Sequence, residues 1–143
     1  MTEGDKFMAL LDLAESKGLW FEVHDWDTDS YTARLRNPAA HSYTEKSGER
    51  PIEALSSALE KQLRDHDGEE CTPVIPGPAN RGDGDKILKL FELAKSRGIR
   101  TILSRWDNDQ YRGCARRDKE EKYSEVESTS RLEALASAIE KKI

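Results

Sequence analysis

The feature that most constrains this chain is an internal repeat at an offset of 80. Residues 4–63 align with 84–143 without a gap, and 22 of the 60 paired positions are identical. Gly4-Asp5-Lys6 meets Gly84-Asp85-Lys86, and Leu10, Leu13, Ala14, Ser16 and Gly18 meet their counterparts at 90, 93, 94, 96 and 98. Trp26-Asp27, Asp29 and Tyr31 meet Trp106-Asp107, Asp109 and Tyr111. Arg36, Tyr43 and Glu45 meet Arg116, Tyr123 and Glu125. A repeat this long is a duplicated domain rather than a solenoid unit.

Each copy reads as helix–strand–strand–strand–helix. Phe7, Leu10, Leu11 and Ala14, like Ile87, Leu90, Phe91 and Ala94, recur at helical spacing. Gly18 and Gly98 stand where a helix ends in a left-handed residue. Leu19–Trp26 and Ile99–Trp106 carry β-forming side chains, and Tyr31–Arg36 and Tyr111–Arg116 return after polar turns. A third strand falls around Tyr43 and Tyr123. The last helix of each copy carries Ile52, Leu55, Ala58 and Leu59, or Leu132, Leu135, Ala138 and Ile139. Pro51 suits a first helical turn, and Ser130 with Glu133 has the spacing of a capping box.

The expected fold is therefore α+β: a tandem duplication of a small αβββα domain with pseudo-two-fold symmetry. Residues 1–63 form the first copy, 64–83 a Pro/Gly-rich linker and 84–143 the second copy. A 20-residue linker spans about 25 Å, enough for the copies to dock on each other or on another chain. About 60 residues is near the lower limit for an independent fold. Two helices can cover one face of a three-stranded sheet; the other is then open to solvent or to a partner, and pairing of the copies or a homodimer is the cheap way to cover it.

Charge is uneven. Residues 1–63 hold 7 basic and 12 acidic side chains (−5), 64–83 hold 2 and 5 (−3), and 84–143 hold 14 and 11 (+3). Only the second copy suits a polyanion. No apolar run is long enough for a membrane span, and no signal peptide is visible. Cys71 and Cys114 read as free thiols of a reducing, cytoplasmic compartment.

The strongest local repeat is Trp-Asp-x-Asp-x-Tyr: Trp26, Asp27, Asp29 and Tyr31, then Trp106, Asp107, Asp109 and Tyr111. It reads either as a polar hairpin turn flanked by a Trp/Tyr pair or as a recognition loop with an aromatic platform and two carboxylates. A calcium loop would need a following glycine and a distal glutamate, which are missing. Arg36 and Arg116 are retained on the second strands, either in strand pairs with Glu45 and Glu125 or on a shared contact face. Arg112, Arg116, Arg117, Lys119 and Lys122 form the best polyanion candidate, although Asp118, Glu120 and Glu121 interrupt it. No zinc spacing, nucleophile elbow, Walker loop or Rossmann glycine pattern occurs, so neither catalysis nor a cofactor is expected.

The αβββα order, ending in "EALSSALEK" at 53–61 and "EALASAIEK" at 133–141, is similar to the double-stranded-RNA-binding domain. Where that family places phosphate-gripping lysines, this chain has Gly48-Glu49-Arg50-Pro51 and Ser128-Thr129-Ser130-Arg131. The run Pro51-Ile52-Glu53-Ala54-Leu55-Ser56-Ser57-Ala58-Leu59 also resembles small phage-encoded helix–sheet–helix sandwich domains. That resemblance implies a non-enzymatic binding protein of a phage or mobile element, acting in the host cytoplasm. It would inhibit a host defence protein or sequester a small nucleotide. The alternative is nucleic-acid binding through the basic second copy.

Overall fold

The structure is a computed structural model that describes residues 2–26, 29–38, 42–66, 82–105 and 110–143. Asp27, Trp106, Asp107 and Asp109 lie outside the described residues, as do Cys71 and most of the expected linker.

Among the described residues there are four helices and six strands. In chain order they are α1 (Glu3–Ser16), β1 (Trp20–His24), β2 (Tyr31–Asn37), β3 (Ser42–Gly48) and α2 (Pro51–His66), then α3 (Asp83–Ser96), β4 (Ile99–Arg105), β5 (Tyr111–Arg117), β6 (Ser124–Ser128) and α4 (Arg131–Glu140). The fold is α+β. Helix α2 runs three residues past the expected boundary at 63.

Local chemistry sets the ends of these elements. Thr2 and Asp5 close a capping box at the start of α1. Gly18, at φ +72°, ends it in a Schellman motif: its N–H donates to the Glu15 carbonyl, and that of Leu19 to Ala14. The Ser130 side chain accepts from the Glu133 N–H and starts α4.

The strands form one antiparallel sheet in the order β3-β2-β1-β4-β5-β6. Its seam is β1 against β4, with Glu22 opposite Ser104, Val23 opposite Leu103 and His24 opposite Ile102. Shifting either half by 80 carries the pair Glu22–Ser104 onto Ile102–His24, so the register is unchanged when the halves are exchanged.

Alternation along the strands sends Phe21, Val23, Ala33, Leu35, Leu103 and Ala115 to the helix side. There they join Phe7, Leu11, Leu55, Leu59, Ile87, Phe91, Leu135 and Ile139 in one cluster fed by all four helices. Helices α1 and α3 cross at Gly4 and Gly84, where a Cβ on either would collide with the other's backbone.

The two halves do not stack on each other's second sheet face. The halves join edge to edge, extending the sheet rather than stacking on it. Edge pairing satisfies the backbone N–H and C=O groups of β1 and β4 together. The uncovered face consists largely of charged and polar side chains, which water solvates without a lid.

Candidate functional site

Register turns the uncovered face into rows that cross all six strands. One row runs Glu45, Arg34, Glu22, Ser104, Arg112, Glu127, and the next runs Ser47, Thr32, His24, Ile102, Cys114, Glu125. Neighbours in these rows pair by charge. Arg34 reaches Glu45 at 3.1 Å, and Arg112 reaches Glu125 at 2.7 Å and Glu127 at 3.3 Å. His24 lies 3.5 Å from Glu22.

Beside these rows, Trp26 emerges from the end of β1 and crosses the seam. The Arg116 guanidinium sits 4.7 Å over its ring and donates to its carbonyl at 2.5 Å. Tyr123, just before β6, meets the same ring edge-on at 5.9 Å. Between this cluster and the seam lies a pocket of about 310 Å³. Ile102, Ser104 and Cys114 form its floor, Trp26 and Tyr123 its aromatic rim, and Glu22, Arg112 and Glu125 its charged wall.

Burial pushes the Cys114 thiol up to about 11, and the negative charge of Glu125 adds to this. It is protonated at neutral pH and offers a small, weakly polar surface rather than a nucleophile. Burial works against the Arg112 charge, but Glu125 and Glu127 outweigh it, so Arg112 is held as a cation with fixed partners.

The expected site residues divide between the two sides of the sheet. Trp26 and Arg116 come together as described. Arg36 lies on the uncovered face but apart from them, stacked 5.5 Å over Trp20. Glu45 pairs with Arg34 rather than Arg36, because antiparallel register sets Arg36 opposite Tyr43. Arg117 is exposed at the end of β5. Asp29 is almost fully exposed and meets Arg100 at 3.3 Å.

Tyr31 and Tyr111 belong to the helix side. Tyr31 is 3% exposed and donates to the Phe91 carbonyl at 3.2 Å, so it forms no cross-strand pair with Trp26. Tyr111 donates to Glu15 at 2.6 Å. Burial and that hydrogen bond push Tyr111 up to about 12, and burial also raises Tyr31. Among the described residues no group of three or more His, Cys, Asp or Glu side chains is placed to hold a metal ion. No helix among them is long and apolar enough to cross a membrane.

Sequence reasoning did not single out Cys114, Tyr123, Arg112 and Ile102 as one site. A signal was present, since the repeat sets Cys114 against Arg34 and Ile102 against Glu22. Two charged positions of the first half are small or apolar in the second. Comparison with protein-family models, characterised proteins and solved structures gives no match for this chain.

Proposed function

We propose that this chain is a duplicated αβββα unit, fused into the equivalent of a two-fold dimer, and that it is a binding protein whose contact surface is the helix-free face of the sheet. The duplication is supported by the 22 identities and by a seam register unchanged on exchanging the halves. The binding reading is carried by one observation: the pocket of about 310 Å³ rimmed by Trp26 and Tyr123. Its volume is at the small end for ligand sites, and it combines an aromatic rim with a few fixed polar groups.

The occupant this chemistry suits is a small planar ligand. The rings of Trp26 and Tyr123 give it a stacking edge, Glu22 accepts hydrogen bonds, and Ser104 donates one. A nucleobase has that shape and donor–acceptor mix, in line with nucleotide sequestration by a phage or mobile-element protein. The pocket's thiol, raised by burial, is not a poised nucleophile.

Native mass spectrometry of protein purified gently from expressing cells tests this. A small adduct is expected, released on denaturation and missing from Trp26→Ala. A bare 16.2 kDa chain, with Trp26→Ala losing a co-purifying protein instead, would shift the contact to a host protein docking on the same face.

Nucleic-acid binding by the second half is the lesser reading. It is favoured by the exposed Arg117 beside Lys119, but the Arg112 and Arg116 guanidiniums are already engaged. Its mark would be steep loss of affinity with salt, abolished by neutralising Arg116, Arg117 and Lys119.

A further inference from the structure

On the helix side, the seam is crossed twice at corresponding places. At one end the C-terminal turn of α1 reaches the second half's sheet. Glu15 there accepts from Arg105, from Tyr111 at 2.6 Å and from Arg131, and Arg131 also meets Asp12 at 2.8 Å. At the other end the last turn of α3 reaches the first half's sheet. Lys95 lies 5.1 Å over the Tyr31 ring and donates to the Asp29 carbonyl, and its charge acts on Asp25. Asp25 is buried and accepts from the Thr101 N–H at 2.9 Å and its hydroxyl at 3.2 Å.

An offset of 80 relates these positions. Glu15 corresponds to Lys95, Asp25 to Arg105, and Tyr31 to Tyr111. The tyrosines are kept while both charges are reversed. In the chain as it stands, Glu15 of the first half pairs with Arg105 of the second, while Lys95 of the second bonds the Asp29 carbonyl and lies within electrostatic reach of Asp25 of the first, without an ion pair between them. Were two first halves to pair in the same register, each Glu15 would face an Asp25. Were two second halves to pair, each Lys95 would face an Arg105.

From this reciprocal exchange we infer that the seam is specific for unlike halves: each half presents a surface that fits the other half and repels its own kind. The chain is thereby a self-complementary unit that a homodimer of either half could not replace. The selectivity comes from repulsion in the wrong pairings as much as from attraction in the right one. Like charges forced together at the half-buried Glu15–Arg105 end disfavour the wrong pairing about a hundredfold, and the end at Lys95, which is exposed, adds less. The inference uses the duplication only for its correspondence of positions, and it involves no residue of the sheet-face pocket, so it stands or falls apart from the binding reading.

Four-position exchange in the full chain tests it. Lys95→Glu with Arg105→Asp gives the second half the first half's charges. Glu15→Lys with Asp25→Arg does the reverse. Each makes the seam like-with-like and is expected to raise the unfolded fraction about a hundredfold in urea titration. All four substitutions together restore unlike pairing between positions 15 and 105 and between 95 and 25, leave Arg131 and Arg100 as like-charged neighbours of positions 15 and 25, and are expected to recover part of the loss. A four-fold variant no more stable than the two like-charged ones would overturn the inference. Glu15→Lys paired with Arg105→Glu repeats the exchange at one end only, leaving buried Asp25 in place. Recovery over Glu15→Lys alone supports charge selection, and no recovery assigns the seam to shape and refutes it.

Discussion

Positions 34 and 114 are equivalent in the repeat, lie on the same face of the sheet, and hold an arginine and a cysteine. In the first half Arg34 extends to Glu45 and lies 5.9 Å over the ring of Tyr43, so a long side chain occupies the space between strands and aromatic. In the second half Tyr123 and Glu125 are retained, but Cys114 is too short to reach them, and the pocket opens there. Exchange of Arg34 for Cys114, together with Glu22 for Ile102, thus separates a self-satisfied surface from a concave one. The seam brings Trp26 of the first half against Tyr123 at the rim of the second half's cavity.

The halves also differ in how closely their last helix sits on the sheet, and the largest predicted effect follows. Gly113 replaces Ala33, and a Cβ at Gly113 would collide with the carbonyl of Ala134 in α4. The backbone of α4 therefore lies closer to β5 than that of α2 lies to β2. Gly113→Ala should cost about 3 kcal/mol of stability by overpacking, read as a shift in urea midpoint. Ala33→Gly in the first half should cost only about 1 kcal/mol, through backbone entropy. Equal losses at the two positions would show that the helices sit at the same height.

Exchange at 34 and 114 breaks the comparison directly. Cys114→Arg should fill the pocket, share Glu125 with Arg112, and weaken ligand binding by about a hundredfold. Arg34→Cys should open a second cavity beside Tyr43. Binding that survives Cys114→Arg would place the ligand elsewhere on the face.

Much of this organisation is legible in the sequence. The order of elements, the glycines ending α1 and α3, and the Ser130 cap are all local patterns that tertiary structure leaves intact. What the sequence hides is long-range. Whether two half-sheets stack or join edges depends on which backbone edge is unsatisfied, and no side chain encodes that. The same limit applies to Tyr31 and Tyr111. Their retention beside Trp and Asp suggests a shared loop, yet strand alternation turns them into the core while Trp26 faces out. Of the expected contact residues, Trp26 and Arg116 meet only because β1 and β4 pair, which brings residues 90 apart in sequence together.

The two tyrosines give a smaller test. Tyr111 donates to Glu15, whereas Tyr31 donates to a backbone carbonyl, so Tyr111→Phe removes one of three donors to a partly buried carboxylate. A loss of about 1 kcal/mol is expected at neutral pH. Both tyrosines are raised above the ordinary value of 10.0 in the folded state, so the unfolded chain gives up these protons first as pH rises. Stability should therefore fall above pH 10, and Tyr111→Phe should flatten that fall without removing it. An unchanged alkaline slope would mean that Tyr111 does not contribute.

The smallest effect is at Asp25, where the second half has Arg105. Burial raises the Asp25 pKa above 3.8, and the hydrogen bonds from Thr101 and the charges of Arg100 and Lys95 only partly offset it. The sign is the opposite of a stabilising ion pair. Between 3.8 and its raised folded value the native state binds the proton that the unfolded chain has lost, so stability from this group falls as pH rises through that window. At neutral pH the buried charge is a net cost, although its attraction to Lys95 helps to select the unlike half. Asp25→Asn keeps an acceptor for the Thr101 N–H and removes the charge. It should raise stability at pH 7 by about 0.5–1 kcal/mol, with no gain below pH 3.8. Urea titrations of the two proteins at pH 3.5 and pH 7 would show it. A variant less stable at pH 7 would mean that the attraction to Lys95 and Arg100 outweighs the cost of burial, making this end of the seam as favourable in charge as the Glu15–Arg105 end.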